Sequence, residues 1–150
     1  MPIQPSQRER ENLWQLLSLA RDEDLGSGDV TSSLLPSGLH AVGRFVARHE
    51  LCFCGGPLLE TIAVSYDGAV RTRLFAEEGT WVSAGDVLAE WDGPATGILP
   101  AERVALNFLQ RLSGVATTTR RYVDAVAGTG AAILDTRKTT PGWRDLEKYA

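Results

Sequence analysis

The segment Ile133-Leu134-Asp135-Thr136-Arg137-Lys138-Thr139-Thr140-Pro141-Gly142 constrains this chain more than any other. An apolar run, Ala131 to Leu134, stops abruptly at two adjacent cations set among three threonines and a Pro-Gly pair. The pattern predicts a buried parallel strand that delivers anion-binding groups to the mouth of an α/β fold. Arg137 offers a planar fork for a carboxylate or phosphate, and Lys138 a mobile point charge. Ala150 falls within the first unit of such a fold, so the chain is expected to be part of a longer protein.

The charge distribution agrees with a small anionic ligand. The net charge of −4 conceals an asymmetry: residues 1–102 carry a net −8 and residues 103–150 a net +4. A nucleic-acid binder would show a broader basic surface interleaved with aromatics. Here the positive charge is confined to one helix and one loop. No apolar run is long enough to span a bilayer, and the polar, mixed-charge start from Met1 to Glu11 is unlike a secretory signal. Cys52 and Cys54 stand one residue apart, a separation awkward for a disulfide, and His40 and His49 complete no zinc site with them. They read as buried free thiols in a reducing cytoplasm.

Leu13, Leu16, Leu17 and Ala20 predict an amphipathic helix over 8–22. The acidic loop Glu23–Ser32 lacks the ligand register of a calcium loop and the Lys and Ser/Thr of a phosphate-binding loop, so it reads as a structural turn. Strands are expected at Ala41–Arg48, Leu51–Cys54 and Val70–Phe75, with a short helix Leu58–Val64 opened by Pro57. In the third strand Arg71 and Arg73 share one face, and Val70, Thr72 and Leu74 the other. Glu78–Leu88 reads as a hairpin-like pair of short strands with glycine turns, continuing through Trp91–Ile98. That stretch resembles the barrel-sandwich half of biotinyl and lipoyl carrier domains. A carrier needs a lysine at its hairpin tip, and no lysine precedes Lys138, so a swinging arm is excluded on chemistry.

A long helix is expected from Ala101, after Pro100, with Val104, Ala105, Phe108, Leu109 and Leu112 on one face. Arg103, Asn107, Gln110 and Arg111 fall largely off that face. Gly114 either allows close helix packing or ends the helix. A second helix is expected over Thr117–Val126, before Gly128-Thr129-Gly130.

Three blocks in order, Glu23–Ser32, Glu102–Gly114 and Asp135–Gly142, together resemble the quinolinate phosphoribosyltransferase family of the type II phosphoribosyltransferases. The resemblance covers nearly the whole chain. It implies an α+β N-terminal open-faced sandwich, barrel-sandwich-like, over 1–114, followed at 115–150 by the first unit of an open α/β barrel. The family is of pentosyltransferases: phosphoribosyl passes from 5-phosphoribosyl 1-pyrophosphate (PRPP) to quinolinate with Mg²⁺, releasing pyrophosphate and carbon dioxide and yielding nicotinate mononucleotide for NAD synthesis. By the same resemblance, Arg103 reaches the partner's site in a homodimer, while Thr136, Arg137 and Lys138 line the quinolinate pocket. The segments that hold PRPP and Mg²⁺ in the family have no counterpart here. Asp145 and Glu147 read as a solvated helix start, not as their replacement. The 150 residues alone are therefore expected not to turn over, with 131–150 frayed or paired elsewhere.

Three other readings stand beside this one. Arg103 is, on the plainer view, a surface helix cation, and Arg137 a strand-end salt bridge. A paralogue of the same fold, such as the phosphoribosyltransferase-like protein of molybdate-transport type, would take another substrate. A non-catalytic dimerisation module would take none.

Overall fold

The computed structural model describes residues 4–26, 28–36 and 38–150. Met1–Ile3, Ser27 and Ser37 lie outside the described residues, so the turn expected over Glu23–Ser32 is described only on either side of Ser27.

The first helix, α1 (Gln7–Leu25), begins on a reciprocal cap: the Ser6 hydroxyl accepts from the Glu9 N–H, and the Glu9 carboxylate accepts from the Ser6 N–H. It runs three residues beyond the expected end, through Glu23 and Asp24, and buries Leu13, Leu16 and Leu17. Gly26, at φ 47°, closes it by donating to the Asp22 carbonyl. A one-turn helix, α2 (Val30–Ser33), follows, its Ser32 N–H held by the Asp29 carboxylate. This local capping accounts for part of the acidic block as structure.

Three antiparallel strands form the larger sheet in the order β1 (His40–Val46), β5 (Val87–Pro94), β3 (Arg71–Leu74). Helix α3 (Leu58–Tyr66) and the long helix α4 (Ala95–Ala125) pack on its inner face, where Phe45 meets Trp91 edge-on at 4.9 Å. The opposite face carries charge in register: Arg44, Glu90 and Arg73 lie side by side across the three strands.

The hairpin expected over Glu78–Leu88 does not form. Strand β4 (Trp81–Val82) pairs with β2 (Leu51–Cys52), while β5 pairs with β1 and β3. The glycine turns direct this crossover. Gly79 at φ 75° donates to the Phe53 carbonyl, and Gly85 at φ 94° to that of Ala47. The chain is thereby laced to the segment before β2 and the segment after it, not to itself.

The two helices expected on either side of Gly114 are one, α4 (Ala95–Ala125), which includes Pro100. Loss of one backbone bond at Pro100 is outweighed by a continuous buried stripe through Ala101, Val104, Ala105, Phe108, Leu109 and Leu112. On either side of Gly114 the helix is held by hydroxyls that serve β2 and the residues just after it: Ser113 Oγ accepts from Cys54 N–H at 3.1 Å, and Thr117 Oγ1 from Cys52 N–H at 2.9 Å.

The buried strand expected at Ala131–Leu134 is also absent. These four residues are exposed, Leu134 at 84%, and no strand among the described residues pairs with them. A strand without a ladder partner leaves its backbone groups to water, so the run stays irregular. Residues 141–150 are not frayed, however. Helix α5 (Arg144–Tyr149) docks on α1 and α4 with Leu146 fully buried. The described residues include no helix long and apolar enough to cross a membrane.

Candidate functional site

The segment Asp135–Gly142 runs irregularly between an exposed apolar stretch and α5. Its first half is held by local bonds. Lys138 N–H donates to Thr136 Oγ1 at 3.0 Å, Lys148 pairs with Asp135 at 2.7 Å, and Arg144 reaches the Arg137 carbonyl at 3.5 Å. Its second half is anchored to the body. Asn12 donates to the Gly142 carbonyl at 2.7 Å, and Trp143 lies over Phe108 with ring centroids 4.8 Å apart.

Between these anchors the side chains of Arg137 and Lys138 are exposed and make no hydrogen bond or ion pair among the described residues. Two adjacent, unpaired cations on a backbone pinned at one end have the chemistry an anion calls for, and a guanidinium such as that of Arg137 can bind a carboxylate in two-pronged fashion. Thr136 Oγ1 accepts from the Lys138 N–H, a local bond that leaves its O–H available as a donor.

Arg103 sits elsewhere. It projects from α4 with 75% of its side chain exposed and pairs with Asp24 at 2.7 Å. No hydrogen bond or ion pair among the described residues links it to Thr136–Lys138. Within one chain, the four residues expected at the site are thus divided between the Thr136–Lys138 loop and the Arg103–Asp24 pair that joins α4 to α1.

Sequence reasoning missed the residues that hold the loop. Glu147, expected to be solvated, is only 10% exposed and accepts from Arg111 and from the Thr140 N–H. Burial alone would push its carboxyl up, but hydrogen bonds from Arg111 and Thr140 outweigh that and hold it below the usual glutamate range. Arg111 forms part of the wall of a groove of about 630 Å³ along α4. The one available signal was that Arg111 falls off the apolar stripe. Its partner lies 36 residues away, so spacing along the helix does not reveal it.

A second anchor was equally hidden. Glu78 accepts from the Gly55 and Gly56 N–H groups at 2.6 and 3.1 Å and from the Tyr149 hydroxyl at 2.8 Å. A side chain at Gly56 would meet the Phe53 ring at 2.7 Å, so only glycine admits this approach. Burial, and then the Glu78 carboxylate, push the Tyr149 hydroxyl and the Cys54 thiol up. Burial likewise raises Cys52. Both cysteines are free and buried, as expected, and both are held as neutral thiols, unsuited to nucleophilic work.

Comparison with known proteins adds an independent line. The family model described as quinolinate phosphoribosyl transferase, N-terminal domain, matches residues 29–113, and the corresponding C-terminal domain model matches 115–150. A probable nicotinate-nucleotide pyrophosphorylase (carboxylating) of Bacillus subtilis is 42% identical over 128 residues, covering 85% of this chain and 44% of the relative. The chloroplastic nicotinate-nucleotide pyrophosphorylase of Oryza sativa is 36% identical across 100% of this chain and 40% of its own length. Among solved structures, the nicotinate-nucleotide pyrophosphorylase of Francisella tularensis superposes with a TM-score of 0.87 at 31% identity, over 93% of this chain and 50% of that one. The enzyme of the same name from Ehrlichia chaffeensis gives 0.83 at 37% identity, over 90% and 50%. The chain therefore spans about half the length, or less, of these relatives.

Proposed function

The chain belongs to the quinolinate phosphoribosyltransferase family, and from that premise we propose that its protein transfers phosphoribosyl from PRPP to quinolinate with decarboxylation, as a pentosyltransferase of NAD synthesis. The observation that carries the reading is the pair of exposed, unpartnered cations Arg137 and Lys138 on a loop anchored by α5. Quinolinate presents two adjacent carboxylates whose mutual repulsion calls for several fixed cations. Arg137 clamps one carboxylate, Lys138 adds field, and Thr136 orders the backbone between them. Each charge-assisted hydrogen bond is worth roughly 1.5–3 kcal/mol. Once the ring nitrogen is ribosylated, the pyridinium accepts the electron pair left when the neighbouring carboxylate departs as carbon dioxide. The protein's contribution is placement and electrostatics.

In this reading, residues 1–114 form the open-faced sandwich and 115–150 begin an α/β barrel. Arg103, already exposed and paired among the described residues with Asp24, exchanges that partner for a carboxylate in the site of a second copy within a homodimer. Buried free thiols support a cytoplasmic location. The family resemblance implies Mg²⁺. The described residues contain no group of three or more His, Cys, Asp or Glu able to hold it. The 150 residues by themselves are expected not to turn over.

The test is release of pyrophosphate and carbon dioxide by the product of the full open reading frame, given PRPP and Mg²⁺ with quinolinate or nicotinate. Quinolinate-dependent release of both products is expected. Arg137→Ala should lower kcat/KM by about tenfold to a hundredfold, the loss of one charge-assisted contact. A folded protein that releases neither product from quinolinate would exclude the reaction and point to a paralogue with another substrate.

A further inference from the structure

We propose that Arg111 and Glu147 are positioning residues that fix the backbone of the Thr136–Lys138 loop by clamping Thr140, the residue two beyond Lys138. The proposal rests on the quinolinate reading for its substrate, but its geometry stands independently.

The clamp is a closed triangle. Arg111 donates through Nε to Glu147 Oε1 at 3.1 Å and through Nη2 to the same oxygen. The same Nη2 donates to Thr140 Oγ1 at 2.5 Å. Glu147 Oε2 accepts from the Thr140 N–H at 3.1 Å. The guanidinium and carboxylate thus seize both the backbone and the side chain of one residue. The two cationic side chains nearby, Arg137 and Lys138, remain free.

What surrounds the clamp shows why the loop needs it. From Ala131 to Thr139 no ladder or helix bond holds the backbone among the described residues. Its ties there are short-range, from Thr129, Thr136, Arg144 and Lys148. Thr140 is the first position where a group from the long helix α4 grips the segment. Glu147 is buried enough for the contact to be worth keeping, whereas Arg111 remains half exposed. A planar, five-donor head is required, since one group must serve a carboxylate and a hydroxyl at once. Lysine would keep the charge and lose the fork.

Loop order therefore governs carboxylate binding, and the second substrate should be affected little. The test compares wild type with Arg111→Lys, Arg111→Ala and Glu147→Gln in the product of the full open reading frame. Two readouts are measured: KM for quinolinate and for PRPP separately, and amide hydrogen exchange at Lys138 and Thr140 without substrate. Glu147→Gln and Arg111→Lys should each raise the quinolinate KM about tenfold while the PRPP KM stays within about twofold. Arg111→Ala should exceed both. Exchange at Thr140 should quicken at least about tenfold in all three, with the melting temperature little changed. Equal rises in both KM values, or a fall in kcat alone, would overturn the positioning role. Unchanged exchange at Thr140 in Arg111→Ala would overturn the clamp itself. If wild type fails to turn over quinolinate, the functional reading fails, and the exchange result still decides whether the clamp orders the loop.

Discussion

The body from His40 to Ala125 and the segment from Gly128 to Ala150 are built on different principles. The body is a three-stranded sheet with α3 and α4 on one face, and its central side chains, such as Phe53, Leu59, Ile62 and Trp91, are at most 1% exposed. The terminal segment buries one side chain completely, Leu146, and otherwise depends on the Trp143–Phe108 contact and on polar ties: Arg111–Glu147, Tyr149–Glu78, Asn12–Gly142. Apolar burial is non-directional and scales with area, so it specifies that the body folds. Hydrogen bonds are worth little net but demand geometry, so they specify where the loop sits.

The sharpest way to break this contrast is in the body. Phe53→Ala should cost about 3–5 kcal/mol, read as a loss of global stability in urea, because the ring lies at 0% exposure beneath Gly56. Leu146→Ala should remove about 2–5 kcal/mol of docking from α5. Its signature should be fast amide exchange across 136–149 with a smaller change in global midpoint. Equal effects of the two substitutions on the midpoint would mean that the segment is part of the same cooperative unit.

A smaller effect tests one polar tie. Tyr149→Phe removes a hydrogen bond to the Glu78 carboxylate and should cost about 1.5–3 kcal/mol. The loss should fall on α5 exchange first. No effect on exchange at Leu146 would show that the apolar contact alone docks the helix.

The smallest effect is on the pH profile, and its sign differs at the two ends. Glu147 is depressed in the folded state, so its contribution is complete above the unfolded glutamate value near 4.5 and lost as pH falls through the folded one. Tyr149 is raised, so its contribution is complete below the unfolded value near 10 and lost as pH rises beyond it. Urea midpoints against pH should fall at both ends. Glu147→Gln should flatten the acid arm and Tyr149→Phe the alkaline arm. An unaltered acid arm in Glu147→Gln would argue that Arg111 does not engage the carboxylate.

Much of this molecule was legible in its sequence. The amphipathic period of α1, the apolar stripe of α4 and the strand runs that became β1, β2 and β3 are local, and a local pattern needs no partner to be read. The adjacent cations Arg137 and Lys138 were equally plain, because an anion-receptive pair is a property of neighbouring residues. The failures share one cause. Whether Trp81–Val82 pairs with Val87–Leu88 or with Leu51–Cys52 depends on which edge is free, and Gly79 and Gly85 decide it through bonds to Phe53 and Ala47. Whether Ala131–Leu134 becomes a strand depends on a neighbour to pair with, which periodicity does not supply.

The sequence by itself determined the amphipathic helix α1, the buried stripe of α4, the runs that became β1, β2 and β3, the free buried thiols and the position of the cation pair. Only the tertiary structure decided strand partners, the unbroken course of α4 through Pro100 and Gly114, and the grips on the loop by Arg111, Glu147 and Tyr149. Most of those decisions turn on contacts between residues far apart in the chain, 29 positions for Arg111–Thr140 and 71 for Tyr149–Glu78, and such contacts are settled by burial and hydrogen-bond geometry once the chain has closed on itself.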